Sequence, residues 1–264
     1  MKNIAIIGCG NLGFSIVRGL TENGYKAENI IATRRNLDSL KSLADQGVQT
    51  MVDNVRASAA ADIIILAVKP HNIENVLNEI STVLNPEKQI LISLASGISV
   101  LQIETLIGTS VFPIVRAMPN TAADVGESLT CLYSKNCSKE QTADVKALFD
   151  TVGESLFVNE ELMEAATIMG ACGIAYVLRF IRAMIQGGIQ VGFDAQTATR
   201  IVTQTVKGAA ELLIQRNEHP EKEIDKVTTP KGCTIVGLNE MEHAGFSSSL
   251  IKGIVASYKA IEKK

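Results

Sequence analysis

An α/β fold followed by an all-helical domain is what the 264-residue sequence predicts, on three observations. A buried-strand run, Ile4-Ala5-Ile6-Ile7, leads directly into the G-x-G-x-x-G of Gly8 to Gly13, and Phe14 to Leu20 then shows helical spacing of apolar residues. Short β-branched runs separated by helix-length segments recur as far as Val158. Near Asn159 the character changes, and alanine, methionine, leucine and isoleucine dominate with few turn residues. Together these predict an N-terminal Rossmann dinucleotide-binding domain over residues 1–159 and an all-helical dimerisation domain over residues 160–264.

The glycine motif alone is a weak pattern; strand before and helix after give it meaning. Gly8 permits the tight turn, Gly10 lets backbone approach a pyrophosphate, and Gly13 lets the helix pack close to the strand. The N–H groups of the first helical turn, with Asn11 and Leu12, then face the phosphates.

Composition narrows the function classes. Twenty-five basic against 28 acidic residues leave a net charge of −3, which offers no footprint for nucleic acid or an anionic membrane surface. Cys9, Cys131, Cys137, Cys172 and Cys233 form no C-x-x-C pair, so neither a zinc site nor a disulfide framework is expected, and the pattern fits the reducing cytoplasm. The three histidines are scattered, so no metal site is expected. The apolar start has no cleavage site and is already used as a strand. The uncharged run from Ala165 to Leu178 is read as too short to span a membrane.

The second strand, Asn29 to Thr33, ends about 20 residues past the glycines, where NAD enzymes usually place an acid for the ribose hydroxyl. Here stand Thr33, Arg34 and Arg35, which suit the 2′-phosphate of NADPH better than the free hydroxyl of NADH; the same residues also fit a solvated basic turn. Leu37 to Gln46 reads as a helix closed by Gly47, and Val48 to Val52 as a short strand with Asn54 beyond it, placed to meet the adenosine ribose or phosphate. Ala61 to Val68 is a central strand ending at Lys69-Pro70, so Ala67, Val68, Lys69 and Pro70 fall at the ligand-binding edge of such a sheet. Gln89 to Leu94 repeats the pattern and ends in Ala95-Ser96-Gly97, a small-residue turn open to a nicotinamide ring. Val111 to Arg116, Leu129 to Tyr133, a helix around Lys139 to Phe149 and Ser155 to Val158 complete the unit.

Glu160 to Gln190 reads as one long helix with Glu160, Glu161 and Glu164 at its positive end and apolar residues on both faces. Burial against a second copy of the chain is the simplest way to cover it. Helices follow at Ala195 to Gln215 and Ser247 to Glu262. Between them, Thr229-Pro230-Lys231-Gly232-Cys233-Thr234 precedes an apolar-periodic run. Such a start leaves backbone N–H groups free to receive a carboxylate, and also fits an ordinary capped helix.

These residues are similar to the pyrroline-5-carboxylate reductase family over essentially the whole chain. The likeness lies in I-I-G-C-G-N-L at the start, A-V-K-P at 67–70, A-S-G at 95–97, R-A-M-P-N-T at 116–121, G-A-C-G-I-A-Y at 170–176 and T-P-K-G-C-T-I-V-G-L at 229–238, the most specific of them. The resemblance implies reduction of a cyclic imine to L-proline with NAD(P)H in proline biosynthesis. It also implies a homodimer interlocked through the helical domain, with dimers assembling as far as decamers. By position, Gly232, Cys233 and Thr234 would hold the substrate carboxylate, and the Thr234 hydroxyl would face the ring nitrogen as the catalytic group. Three positions depart from the family: Ala122 and Ile174 stand where proline is usual, and Lys231 where glycine is usual. They point to two alternatives, a reductase of a different cyclic imine acid or a non-catalytic NADP(H)-binding regulator on the same fold. A β-hydroxy-acid dehydrogenase would need a lysine on the helix after the junction, which carries Arg179 and Arg182 instead.

Overall fold

The structure is a computed structural model that describes residues 1–262. Among them eight strands form one sheet: β1 (Ile4–Ile7), β2 (Ile30–Thr33), β3 (Gln49–Met51), β4 (Ile63–Leu66), β5 (Ile90–Ser93), β6 (Ile114–Met118), β7 (Ser128–Lys135) and β8 (Gly153–Phe157). Their order is β3-β2-β1-β4-β5-β6-β7-β8, parallel throughout except that β6 and β7 run antiparallel. Every residue of β1, β2, β4, β5 and β6 is buried, which explains their mainly apolar character, broken only by Thr33, Ser93 and Arg116: helices cover both faces.

Alternation along the strands divides the core in two. Ile4, Ile6, Ile63 and Ile65 face α1 (Asn11–Glu22), α2 (Lys41–Ala44) and, later in the chain, α6 (Lys139–Asp150). Ala5, Ile7, Ile64 and Leu66 face α3 (Asn54–Ala59), α4 (Ile73–Ile80) and α5 (Val100–Ile107). Each fully buried isoleucine contributes roughly 1.5–3 kcal/mol, so a slip of one residue, exchanging the two faces, is strongly disfavoured.

Local chemistry shifts several expected boundaries. The helix expected from Leu37 to Gln46 is a 3₁₀ turn, Leu37–Leu40, followed by the single turn of α2. Asn36 caps the first, and Gly47, at φ 95°, ends the segment. The strand expected from Val111 begins at Ile114, just past Pro113, whose ring nitrogen has no N–H for a ladder.

The chain divides into two compact units, Met1–Cys172 together with the chain from Tyr258, and Gly173–Ser257. The helical run expected from Glu160 to Gln190 is present, but in four pieces: a 3₁₀ turn (Glu160–Leu162), α7 (Met163–Ala166), a π-helical turn (Thr167–Cys172) and α8 (Gly173–Gln190). It is 31 residues long and, by length and composition, apolar enough to cross a membrane, with only 6% of its most apolar window buried. That corrects the expectation drawn from the uncharged stretch: the stretch stops at Arg179, but the helix continues and Arg182 is its only further charge.

The second unit holds α8, α9 (Ala195–Arg216), α10 (Pro220–Val227), α11 (Cys233–His243) and most of α12 (Phe246–Glu262). α10 was not expected, although His219, Pro220 and Glu221 form a good helix start. Within this unit only Ala198 and Val202 are buried, while Leu178, Val191, Ile214, Val236 and Ile251 are exposed. One copy of these helices does not close a core of its own.

Candidate active site

The sheet order reverses between β1 and β4, and ligands of such sheets sit at the carboxyl ends of the strands flanking that point. Gly8 follows β1 at φ 79°, and a Cβ there would lie 2.2 Å from Val68 Cγ1, just past β4. A Cβ on Gly13 would come within 3.1 Å of Ile6 Cγ2 and 3.2 Å of Ala67 Cβ, so α1 lies against both strands as the motif predicts. At Gly10 the nearest atom to a Cβ is 3.9 Å away, leaving the turn open on its outer side. Gly10 is the N-cap of α1 and offers no side-chain cap, so first-turn N–H groups of Asn11, Leu12 and Gly13 remain free for an anion. These features fit a dinucleotide pyrophosphate.

The basic rim divides into a buried part and an open part. Thr33 is only 1% exposed: its hydroxyl accepts from the Gly8 N–H at 3.1 Å and donates to Asn54 Oδ1 at 2.7 Å, and its carbonyl accepts from the Cys9 N–H at 2.7 Å. Thr33 therefore holds the glycine turn in place, whereas the sequence pattern sets its hydroxyl beside a phosphate. Asn54 Nδ2 donates to Glu79 at 2.9 Å. Arg34 reaches the Cys9 carbonyl at 3.2 Å and is half-buried; Arg35 is exposed. Burial pushes the Cys9 thiol up to about 12, against the opposing pull of Arg34, so this cysteine is a neutral core residue.

Farther along the edge, Lys69 is exposed and Pro70 opens a 3₁₀ turn. Ala95 is buried and donates its N–H to Ser93 Oγ at 3.3 Å. Gly97 is exposed at φ 72° with nothing within 4 Å of a Cβ, so backbone conformation rather than space explains the glycine. Sequence reasoning missed a cluster behind this loop. Arg116, in the middle of β6, is 3% exposed and pairs with Glu160 and Glu164. A charge inside the otherwise apolar IVRAM strand was the available signal. Asn120 is likewise buried; its Oδ1 accepts from the Ala122 N–H at 2.9 Å and its Nδ2 donates to the Gly170 carbonyl at 3.2 Å. The family's usual proline at 122 has no N–H to give, so this bond belongs to the departure.

In the second unit, Thr229-Pro230-Lys231-Gly232 forms a β-turn closed by Gly232 N–H to the Thr229 carbonyl at 2.9 Å. Lys231, the third residue, has φ 60°, in the left-handed region that favours the family's glycine. A Cβ on Gly232 would lie 2.6 Å from Thr229 Oγ1. Gly232 is the N-cap of α11 without a side-chain cap, and Cys233 and Thr234 in its first turn are exposed. Ile174 lies in the first turn of α8.

A Rossmann sheet with a glycine turn shaped for pyrophosphate and a basic rim without an acid defines the first unit as the cofactor domain of an NADP-dependent oxidoreductase. Comparison with known proteins agrees: residues 3–97 match the family described as NADP oxidoreductase coenzyme F420-dependent, and residues 160–264 match pyrroline-5-carboxylate reductase dimerisation. Pyrroline-5-carboxylate reductase 2 of Dictyostelium discoideum is 42% identical over 99% of this chain and 93% of its own. Pyrroline-5-carboxylate reductase 1 of the same organism is 45% identical over 97% of this chain, which spans about half (48%) of that relative's length. The crystal structure of Plasmodium falciparum pyrroline carboxylate reductase with NADP bound superposes with a TM-score of 0.91, at 27% identity over 99% of this chain and 97% of that one. The chain belongs to the pyrroline-5-carboxylate reductase family.

Two glycine substitutions separate room for the cofactor from room for the fold. Gly10→Ala meets only ordinary contact with the Gly8 carbonyl and, as an N-cap change, should lower the melting temperature only slightly while weakening NADPH binding about tenfold or more, roughly 1.4 kcal/mol. Gly8→Ala, strained and crowded by Val68, should lower stability as well. Thermal melts and NADPH titrations check both; unchanged affinity in Gly10→Ala would displace the pyrophosphate from this turn.

Proposed function

We propose that this protein reduces 1-pyrroline-5-carboxylate to L-proline. The observation that carries the reading is the uncapped start of α11, with Thr234 in its first turn, in a chain whose other unit has the cofactor crevice. NADPH, when bound, supplies the hydride that adds to the carbon of the C=N bond. The chain's own groups bind and orient. The glycine turn and first turn of α1 hold the pyrophosphate, while Arg34 and Arg35 hold the 2′-phosphate. The N–H groups of Cys233 and Thr234 receive the substrate carboxylate at the favourable end of the α11 dipole. The Thr234 hydroxyl meets the ring nitrogen and fixes which face of the imine is presented. A protonated imine is already electrophilic, so placing the reacting carbons is the main task of such a site.

The same reading makes residues 1–159 the cofactor domain and residues 160–264 the dimerisation and substrate domain of a cytoplasmic homodimer. The chain's five cysteines form no C-x-x-C pair and no even framework, the pattern that supports a reducing compartment. A second copy, rather than lipid or nucleic acid, is the partner assigned to the exposed apolar faces of α8 to α12. Lys231 favours one further reading, a different cyclic imine acid, because an ammonium beside the carboxylate loop alters what the loop attracts.

Turnover of pyrroline-5-carboxylate with NADPH should exceed that with NADH, and Arg35→Ala should reduce the preference about tenfold, the scale of one charge-assisted contact. Steady-state kinetics with both cofactors measure this. Equal use of NADH, unaffected by Arg35→Ala, would remove the 2′-phosphate assignment, and turnover of another cyclic imine acid alone would shift the substrate.

Thr234→Ala should reduce kcat/KM by about tenfold to a hundredfold, roughly 1.4–2.7 kcal/mol, with NADPH affinity nearly unchanged. Lys231→Gly should raise stability by about 1 kcal/mol by relieving the left-handed residue, and should weaken substrate KM if the ammonium assists the carboxylate. An intact kcat/KM in Thr234→Ala for every cyclic imine acid tried would make the loop structural.

Light scattering at micromolar concentration should find a homodimer or an assembly of dimers. A folded, stable monomer would show that the exposed helices need no second copy.

A further inference from the structure

The strand β6 carries a buried guanidinium that the cofactor and substrate readings leave unused. Burying a charge is costly unless it is paired, and removing its partner leaves it uncompensated. Arg116 Nη2 lies 2.6 Å from Glu164 Oε1 and Nη1 lies 3.4 Å from Glu160 Oε1, whereas its Nε, also buried, has no partner among the described residues. The two glutamates are four residues apart on the helical segment after Asn159, so they share a face.

Both carboxylates do a second thing: they accept backbone N–H groups from the connection between β5 and α5. Glu164 accepts from the Gly97 N–H at 3.1 and 3.2 Å to its two oxygens. Glu160 accepts from the N–H of Val100, the first residue of α5, at 2.7 Å, where the helix end favours negative charge. From the sheet side, Ser93 Oγ accepts from the Ala95 N–H, and Ser93 pairs with Arg116 across the β5–β6 ladder. Ala95 packs into the core, but Ser96 is only half-buried and Gly97 has open space where a side chain would stand. Past Ala95 the loop is therefore held by a hydrogen bond to its backbone, which Glu164 makes at Gly97.

We propose that Arg116, Glu160 and Glu164 form a positioning device that holds the Ala95-Ser96-Gly97 loop in the conformation that seats the nicotinamide end of the cofactor. Arg116 orients the two carboxylates from below; Glu164 fixes the loop directly. This rests on reading the crevice as an NADPH site. Because the glycine turn and the arginines hold the other end of the cofactor, loss of the device disturbs placement of the ring far more than overall affinity.

The test compares full-length wild type, Glu164→Ala and Glu164→Gln by melting temperature, NADPH titration, emission of bound NADPH and kcat. Glu164→Ala should lower kcat at least tenfold and move the emission of bound NADPH toward that of the free cofactor, with the NADPH Kd within about threefold of wild type. Glu164→Gln, which keeps an oxygen to accept from Gly97, should recover most of both. Where Glu164→Ala does not fold, Gly97→Ala takes its place, since it strains the left-handed residue without touching a neighbour. Wild-type kcat and emission in the folded variant would overturn the proposal, as would a Glu164→Gln protein no better than Glu164→Ala. Wild-type protein that binds no NADPH would overturn the cofactor reading and the proposal with it. Wild-type protein that binds NADPH beside an unchanged variant would overturn the proposal alone.

Discussion

The close approach of α1 to the ends of β1 and β4 is the constraint on which the rest of the first unit depends. A Cβ at Gly8 would clash with Val68, and one at Gly13 would press tightly on Ile6 and Ala67. Close packing of this kind aims the free N–H groups of the first helical turn into the crevice at the switch point of the sheet. Thr33 completes the arrangement from β2, since its buried hydroxyl accepts from the Gly8 N–H. A single hydrogen bond of this kind contributes on the order of 1 kcal/mol, but its greater effect is geometric, because it ties the turn to Asn54 and so to the start of α3. The glycine turn, the end of β2 and the start of α3 are thus one hydrogen-bonded construction.

Features that are local in the chain can be read from the order of residues alone. Strand, glycine turn and helix occupy consecutive residues, and each pattern supports the next, so the first βα unit is legible directly. The missed parts depend on residues far apart. Thr33 looks like a phosphate ligand because its position after β2 is the usual one; only the tertiary fold shows its hydroxyl already bonded on both sides. Glu160 and Glu164 look like helix-dipole partners because they open a helix, yet they meet Arg116 from 44 and 48 residues away. No periodicity encodes that meeting. Lys231 is another such case: the sequence reads only as a helix start, and with Gly232 as the fourth residue of the turn nothing local announces that Lys231, the third, has φ 60°.

The three departures from the family pattern have different physical meanings. Ala122 adds a hydrogen bond that proline cannot make, to Asn120, which also bonds the π-helical turn through Gly170. Ile174 leaves the helical run continuous across the point where a proline would remove an N–H. Lys231 alone carries a strain without a visible compensating bond, about 1 kcal/mol for a non-glycine residue in the left-handed region. Its side chain is exposed and it stands two residues before Cys233, whose N–H is proposed to receive the carboxylate, so it is the departure with the most direct bearing on that proposal.

The two units differ in how completely one chain satisfies them. In the first, both faces of the sheet are covered and the strands at its centre are fully buried. In the second, two buried side chains cannot offset the conformational entropy of ordering five helices, which amounts to about 1–2 kcal/mol of backbone freedom for each residue fixed. The stability of α8 to α12 must therefore come from surface covered by something beyond one copy of these helices. The family matched over residues 160–264 is defined by dimerisation, and the exposed apolar residues give that definition its physical content. Since the loop of Lys231 to Thr234 belongs to this unit, a substrate site built there becomes rigid only when its helices are covered. Catalytic competence would then be linked to association, so activity should decline on dilution below the dissociation constant of the assembly even where the cofactor domain remains folded.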